Sequence, residues 1–374
     1  MKNIQELIEI SQFYGKNSDF VIGGGGNTSF KTADRLWVKA SGISLGDIDV
    51  NGFAVLDRAR LSCISTKQYS ADSTQREQEI KDDLYGACVE PEKMLRPSVE
   101  TSLHDIIRYR FVVHTHPTLV NALLCSQNAT TEVKKIFGDK VVYVPYTDPG
   151  YVLFKKVERS LQKYRELYDA DPQIILLENH GIFVSADTVA EIKDTYNNVM
   201  SKIEAKILNR IDMKTLPLSE KAVDILSTIQ GLLSCTVAVV HNNTLLYDYL
   251  SYTESLAPFT PDIIVYCKAF PIFIENTGSK DDAVDEFKDK LKQYRNTHGY
   301  NPKIVILKDL GLAAIDENQH TAKIALAVYE DLMKICLYSK NFGGPHYLNQ
   351  REIAFIDNWE VENYRRAVSK KSET

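Results

Sequence analysis

The stretch FVVHTHP places His114 and His116 two residues apart in an apolar run that ends at Pro117. On a strand that spacing turns both imidazoles to the same side of the sheet. A third histidine, His180 in LLENHG, ends another apolar run. Three neutral imidazoles suit Zn²⁺ or another divalent transition metal and leave one coordination position for substrate or water. The same pair also fits two structural histidines, and the other five histidines show no comparable pairing. Glu100 in PSVETSLH is the acid–base candidate, because it opens a helical pattern fourteen residues before His114, with His104 four residues further on the same helix face. A carboxylate there equally suits a helix N-terminus for its dipole alone. In VIGGGGNTSF four glycines precede Asn27, Thr28 and Ser29. Consecutive backbone N–H groups in such a turn, ending at Gly26, can form an anion nest to which Asn27, Thr28 and Ser29 add side-chain donors. A flexible turn between two strands is the plainer alternative.

The chain that must position these groups has 374 residues, 44% hydrophobic and 25% charged, with a formal net charge of −6. This is ordinary globular composition, long enough for two domains, and it gives no sign of a nucleic-acid partner. The six cysteines (63, 88, 125, 235, 267 and 336) contain no CxxC pair. They read as buried, reduced thiols of an intracellular protein. MKNIQELIEISQFYG, with Ile4, Leu7 and Ile8 at helical spacing, reads as an amphipathic surface helix and not a signal peptide. No apolar run approaches the roughly 18–20 residues of a membrane span. A soluble, cytoplasmic protein is the expectation.

Strands are expected around Leu36–Val38, in FVVHTHP, over Val141–Tyr146 and in QIILLENHG. Helices are expected after Pro97, with Ser98 as N-cap, and over Thr118–Ser126, Tyr151–Tyr168 and about Ala186–Arg210. This alternation predicts a layered α/β domain. TLPLSEK reads as a linker, dividing the chain into 1–214 and 215–374. The second part reads as a smaller α/β unit with strands CTVAVV, DIIVYC and KIVILKD and helices Asp281–Tyr294, Thr321–Tyr338 and Glu352–Ser369. No internal repeat is apparent, and no GxGxxG follows a strand, so no nucleotide site is expected there.

GGGGNTSFK, LWVKASG, RPSVETSLH, VVHTHP and LLENHGIFVSADT occur in this order. Together they resemble the class II aldolase/adducin family over roughly residues 1–212. The resemblance is closest to the aldolase part of bifunctional rhamnulose-1-phosphate aldolase/short-chain dehydrogenase proteins. VPYTDPG and NWEVENYRRAV add to it, although the chain reaches residue 374 without entering a dehydrogenase. The resemblance implies an α/β/α layered domain with a mainly antiparallel sheet, commonly tetrameric in the family, so a homo-oligomer. It implies that His114, His116 and His180 bind zinc and that Glu100 is the acid–base group. It further implies that Gly26, Asn27, Thr28, Ser41, Gly42 and Ser98 contact a substrate phosphate. Fuculose-phosphate-type aldolases carry two serines before the glutamate, whereas the second position here is Val99. Some members use a tyrosine as proton donor, for which Tyr146 is the nearby candidate.

The implied chemistry is cleavage of a C–C bond beside a carbonyl, in which a metal stabilises the enediolate charge and a carboxylate moves the proton. No lysine Schiff base is required. A ketose 1-phosphate of the rhamnulose or fuculose type, giving dihydroxyacetone phosphate and an aldehyde, is the expected substrate. A pentulose-phosphate 4-epimerase, a sugar-phosphate dehydratase and a non-catalytic sugar-phosphate sensor are the alternatives.

Overall fold

NTSFK, RLWVK and FAVLD, three short stretches rich in β-branched and aromatic residues, form the antiparallel strands β1 (Asn27–Lys31), β2 (Arg35–Lys39) and β3 (Phe53–Asp57). The computed structural model describes residues 2–233 and 237–358. Helix α1 (Lys2–Gly15) precedes these strands; it buries Leu7, Ile10, Ser11 and Tyr14, while Ile4 and Ile8 stay half-buried. After them come α2 (Arg58–Thr66), α3 (Ser73–Gly86) and α4 (Thr101–Ile106). The chain continues through β4 (Phe111–Thr115), α5 (Thr118–Leu124), α6 (Ala129–Phe137), β5 (Val142–Val144) and α7 (Tyr151–Tyr168). It then forms the β6 (Ile174–Leu177)/β7 (Gly181–Ala186) hairpin and α8 (Val189–Glu204).

The seven strands form one sheet in the order β3-β2-β1-β4-β7-β6-β5, antiparallel except for the β5–β6 pair. Helices α2, α3, α4 and α7 bury Leu61, Leu84, Leu103, Phe154 and Val157 with Leu36, Val112 and Phe183 of the sheet. Helices α1, α5 and α8 pack on the opposite side. The expected α/β/α layering with a mainly antiparallel sheet is therefore what this unit has. Ser98 does not cap α4. Glu100 occupies the N-cap position and makes no side-chain cap bond.

Contacts divide the chain into two compact units, with the change near Lys206/Ile207 and with Cys125–Gln127 counted in the second. The second unit contains α9 (Glu220–Leu233), β8 (Val237–His241), α10 (Thr244–Tyr252), α11 (Pro261–Cys267), β9 (Ile272–Ile274) and α12 (Lys280–His298). It ends with β10 (Ile304–Leu307), β11 (Gly311–Asp316), α13 (Gln319–Ser339) and α14 (Gln350–Asn358). DIIVYC, expected as a strand, is the helix α11. Thr260 is its N-cap and Pro261 opens its first turn, and nearly every residue is buried, so no helical polar stripe marks it. The expected Glu352–Ser369 helix is seen as far as Asn358. Its remainder, most of NWEVENYRRAV and Cys235 lie outside the described residues. Of the other cysteines, Cys63 is exposed and the rest are buried, all as free thiols. Among the described residues no helix is long and apolar enough to cross a membrane.

Contrary to the sequence reading, the chain does repeat itself. The order β8-α10-α11-β9-α12-β10-β11-α13 reproduces β4-α5-α6-β5-α7-β6-β7-α8 element for element. The sheet orders β8-β11-β10-β9 and β4-β7-β6-β5 match, including the single parallel pair in each. Equivalent turns hold Asn179 (φ 52°) and Asp309 (φ 60°) in the left-handed region, each two residues before the glycine that opens the next strand. The core positions correspond as well, Val157 and Leu161 of α7 to Phe287 and Leu291 of α12.

The repeat also duplicates a helix cap. Thr188 accepts from Glu191 N–H in a full capping box before α8, and Asn318 accepts from Thr321 N–H before α13. Thr188→Ala and Asn318→Ala should each cost about 1 kcal/mol. Urea unfolding with hydrogen exchange of α8 and α13 reads this directly, and no measurable loss in either variant would contradict the capping assignment.

Candidate functional site

The period of two along β4 sends His114 to the side of the sheet that carries Phe183, on which its ring stacks at 4.1 Å. Thr115 points to the other side, where its hydroxyl pairs with Tyr196 Oη at 2.8 Å. His116 follows at the strand end on the His114 side, its Nε2 3.0 Å from His114 Nε2. His180 comes from the β6–β7 turn. One nitrogen of each of the three rings lies within 4.8 Å of the others. His114 Nδ1–H donates to the Ile182 carbonyl at 2.9 Å, which in the neutral imidazole leaves Nε2 as the unprotonated nitrogen facing inward. Gly181 permits this convergence: a Cβ there would stand 2.5 Å from His116 Cδ2 and 2.6 Å from the Thr115 carbonyl oxygen.

Glu100, at the start of α4 and almost wholly buried, completes the group. Its Oε1 lies 3.4 Å from His114 Nε2 and 3.5 Å from His180 Nε2, and it is buried with no hydrogen-bond donor. A carboxylate oxygen without a donor thus stands beside converging imidazole nitrogens, an arrangement that a shared cation would satisfy. The residues present fit a divalent metal on that ground.

The other carboxylate oxygen is fixed. Asn27 Nδ2 donates to Glu100 Oε2 at 2.5 Å, and Asn27 sits opposite His114 in the β1–β4 register. Asn27 Oδ1 in turn accepts from His104 Nε2, and His104 Nδ1 accepts from Ser29 Oγ at 2.7 Å. A buried chain thus runs from Ser29 through His104 and Asn27 to the carboxylate. Burial pulls the His104 pKa down to about 3, with the positive charge of Lys31 adding to the effect and Glu100 opposing it, so the ring is neutral. The sequence placed His104 on the right helix face. Its link through Asn27 was not visible there, since it depends on β1 lying beside α4.

The other expected positions separate into two groups. Gly26 adopts φ +66° and comes so close to β4 that a Cβ would lie 2.9 Å from the His114 carbonyl oxygen. Ser98 Oγ lies 3.4 Å from Asn27 Nδ2 and accepts from Glu100 N–H at 3.3 Å. The Ser41-Gly42 turn joins this loop, with Ser41 N–H donating to the Arg96 carbonyl at 2.8 Å and an isolated bridge between Ala40 and Pro97. Thr28, by contrast, faces away from Asn27, and its hydroxyl pairs with Ser11 Oγ of α1 at 2.6 Å. Tyr146 donates its backbone N–H to Glu178 Oε2 at 2.8 Å, and its hydroxyl is directed to Asp148 at 3.5 Å.

The second unit carries the same scaffold without the three histidines. In the β8–β11 register His241 pairs with Leu312 as Thr115 pairs with Ile182, so Val240 and Asn242 occupy the places of His114 and His116. Leu310 stands where His180 does. Among the described residues the three-histidine group of the first unit is the only such cluster.

Comparison with known proteins follows the same division. Residues 5–204 match the family described as class II aldolase and adducin N-terminal domain, and residues 247–365 match aldolase class II, second domain. The chain is 24% identical to the uncharacterized oxidoreductase YuxG of Bacillus subtilis, over 97% of this chain and 58% of that protein. It therefore spans little more than half the length of that relative. It is 27% identical to the L-fuculose phosphate aldolase of Methanocaldococcus jannaschii, over 44% of this chain and 73% of that one. A solved N-terminal class II aldolase domain from Thermoplasma acidophilum aligns with 54% of the chain and 92% of its own, at 30% identity and a TM-score of 0.46.

Two outcomes are expected. The folded protein holds His104 neutral, whereas the unfolded chain takes up a proton near pH 6.5. Its contribution to stability is therefore present above that pH and is lost as pH falls towards 3. Wild type should lose melting temperature more steeply than His104→Gln between pH 6.5 and 4, and parallel curves would contradict a buried neutral imidazole. Gly181→Ala should cost about 1–3 kcal/mol, because the backbone at Thr115 cannot yield to the new methyl. An unchanged denaturation midpoint would refute the close approach.

Proposed function

The chain belongs to the class II aldolase and adducin family, and on that footing we propose that it is a metal-dependent aldolase. The proposed reaction cleaves a ketose 1-phosphate of the rhamnulose- or fuculose-1-phosphate type to dihydroxyacetone phosphate and an aldehyde. The observation that carries this reading is the buried Oε1 of Glu100, held without a donor against the Nε2 atoms of His114 and His180. A divalent cation, zinc for an all-imidazole set, would be held by His114, His116 and His180. It supplies the charge stabilisation that C–C cleavage beside a carbonyl requires.

The protein's own groups divide the remaining work. Glu100 moves the proton at the carbon released by cleavage, through the oxygen that Asn27 leaves unbonded. Asn27 has both ends of its amide engaged, by Glu100 and by His104, which supports a role in aiming the carboxylate. The substrate phosphate falls to Ser98 and the Ser41-Gly42 turn, which share one loop junction beside Glu100. Val99 supplies no hydroxyl there. Gly26 serves this arrangement by letting the glycine turn lie against the His114 backbone.

Retro-aldol turnover of L-rhamnulose 1-phosphate and L-fuculose 1-phosphate, coupled to detection of dihydroxyacetone phosphate, is the test. Turnover should be abolished by a chelator, and metal analysis should give one equivalent per chain, lost in His116→Ala. Glu100→Gln should keep the metal and lower kcat by about 10²–10⁴. A zinc-loaded chain that produces no dihydroxyacetone phosphate from either sugar would overturn the proposal. Epimerised product in its place would move the assignment to the epimerase chemistry of the same site.

A further inference from the structure

Away from the three histidines, the first unit has an open surface cavity of about 660 Å³ between the turn joining α2 to α3 and the start of α7. Five cationic side chains line it: Lys67, Arg76, Lys155, Lys156 and Arg159. No carboxylate does, in a chain whose net charge is −6. Three of the five cations have acidic partners behind them. Lys67 pairs with Asp83 at 2.6 Å, Lys155 with Glu158, and Arg76 Nε approaches Glu77 only to 3.6 Å. That Nε is buried and has no hydrogen-bond acceptor. Lys156 and Arg159, both exposed, form no ion pair among the described residues. The rings of Tyr69 and Tyr151, edge to face at 5.1 Å, form an aromatic wall of the same cavity.

The repeat supplies an internal control for this charge. Helix α12 of the second unit matches α7 in its buried positions, yet it carries Asp285, Glu286 and Asp289 where α7 carries Lys155, Lys156 and Arg159. The scaffold therefore accepts either sign at these positions, and packing does not dictate the cations of α7. Crowding like charges in a concave site is unfavourable until a counter-charge enters, and low-dielectric walls focus the field on that entrant. Guanidinium and ammonium groups around a site of this size, flanked by tyrosine rings, match a phosphate ester with a small organic body. We propose that this cavity is a second anion site, one that binds a small phosphorylated molecule with its phosphate on Arg76, Lys156 and Arg159 and its body against Tyr69 and Tyr151.

The test uses the whole chain with pyrophosphate and inorganic phosphate as probes in titration calorimetry at low and moderate salt. The double variant Lys156→Glu/Arg159→Asp installs the acids that α12 carries, at exposed positions, and its melting temperature confirms that it folds. Ser98→Ala serves as the comparison, because it alters the loop proposed to hold the substrate phosphate. The expected result is pyrophosphate binding that weakens with salt, falls at least tenfold in the double variant and persists in Ser98→Ala. Binding lost in Ser98→Ala but kept in the double variant would overturn the proposal and place the anion beside Glu100. Failure of the wild type to bind pyrophosphate, with or without binding of a long polyanion such as heparin, would overturn it equally. None of these results depends on aldolase turnover, so this site and the proposed reaction stand or fall separately.

Discussion

A carboxylate buried against imidazole nitrogens is the constraint around which the first unit is organised. Taking a charge out of water costs several kcal/mol unless other groups answer it. Glu100 is answered on one oxygen by Asn27, which is itself fixed by His104 and Ser29. That arrangement requires β1 beside β4, α4 over their shared face, and a glycine where the preceding turn crosses the His114 backbone. The other oxygen faces the imidazoles of His114 and His180. Strand register, helix placement and the glycine run are thus different aspects of one electrostatic arrangement.

Much of this was readable from residue order. A period of two put His114 and His116 on one face, the pattern around Pro97 put Glu100 at a helix start, and the apolar strands gave the layering. What could not be read were the contacts that depend on tertiary neighbours. The resemblance offered Asn27 as one of six phosphate contacts, and only the fold shows its amide engaged by Glu100 and His104. Thr28 is adjacent to Asn27 in sequence and on the opposite face of the strand, where it meets Ser11. Pattern failed differently at DIIVYC. A short run buried on all sides has no polar stripe, so helix and strand look alike.

The repeat is not legible in the sequence because its two copies share geometry more than residues. Both keep a glycine after a left-handed Asn or Asp, and both keep apolar residues at the sheet-facing positions of the second helix. Between these points the side chains differ, including the three histidine positions. One scaffold occurs twice in the chain, with the histidines in one copy and Val240, Asn242 and Leu310 in the other. A fold of this kind carries chemistry only through the residues placed on it. The reversal of charge between α7 and α12 illustrates the same freedom at the surface.

The alternation along β4 has a consequence for assembly. Side chains on a strand exchange faces with every residue, so a slip of one position against β1 and β7 would carry His114 and His116 to the side of Tyr196. Val113 and Thr115 would then confront Glu100, leaving a buried carboxylate with no imidazoles opposite. His180 arrives from the β6–β7 turn, beside β4 in the sheet but 64 residues after His116 in the chain. Convergence of all three rings is therefore a gauge of strand register, available only to a chain that has paired β4 with β7 correctly, and the metal binding proposed above would report it.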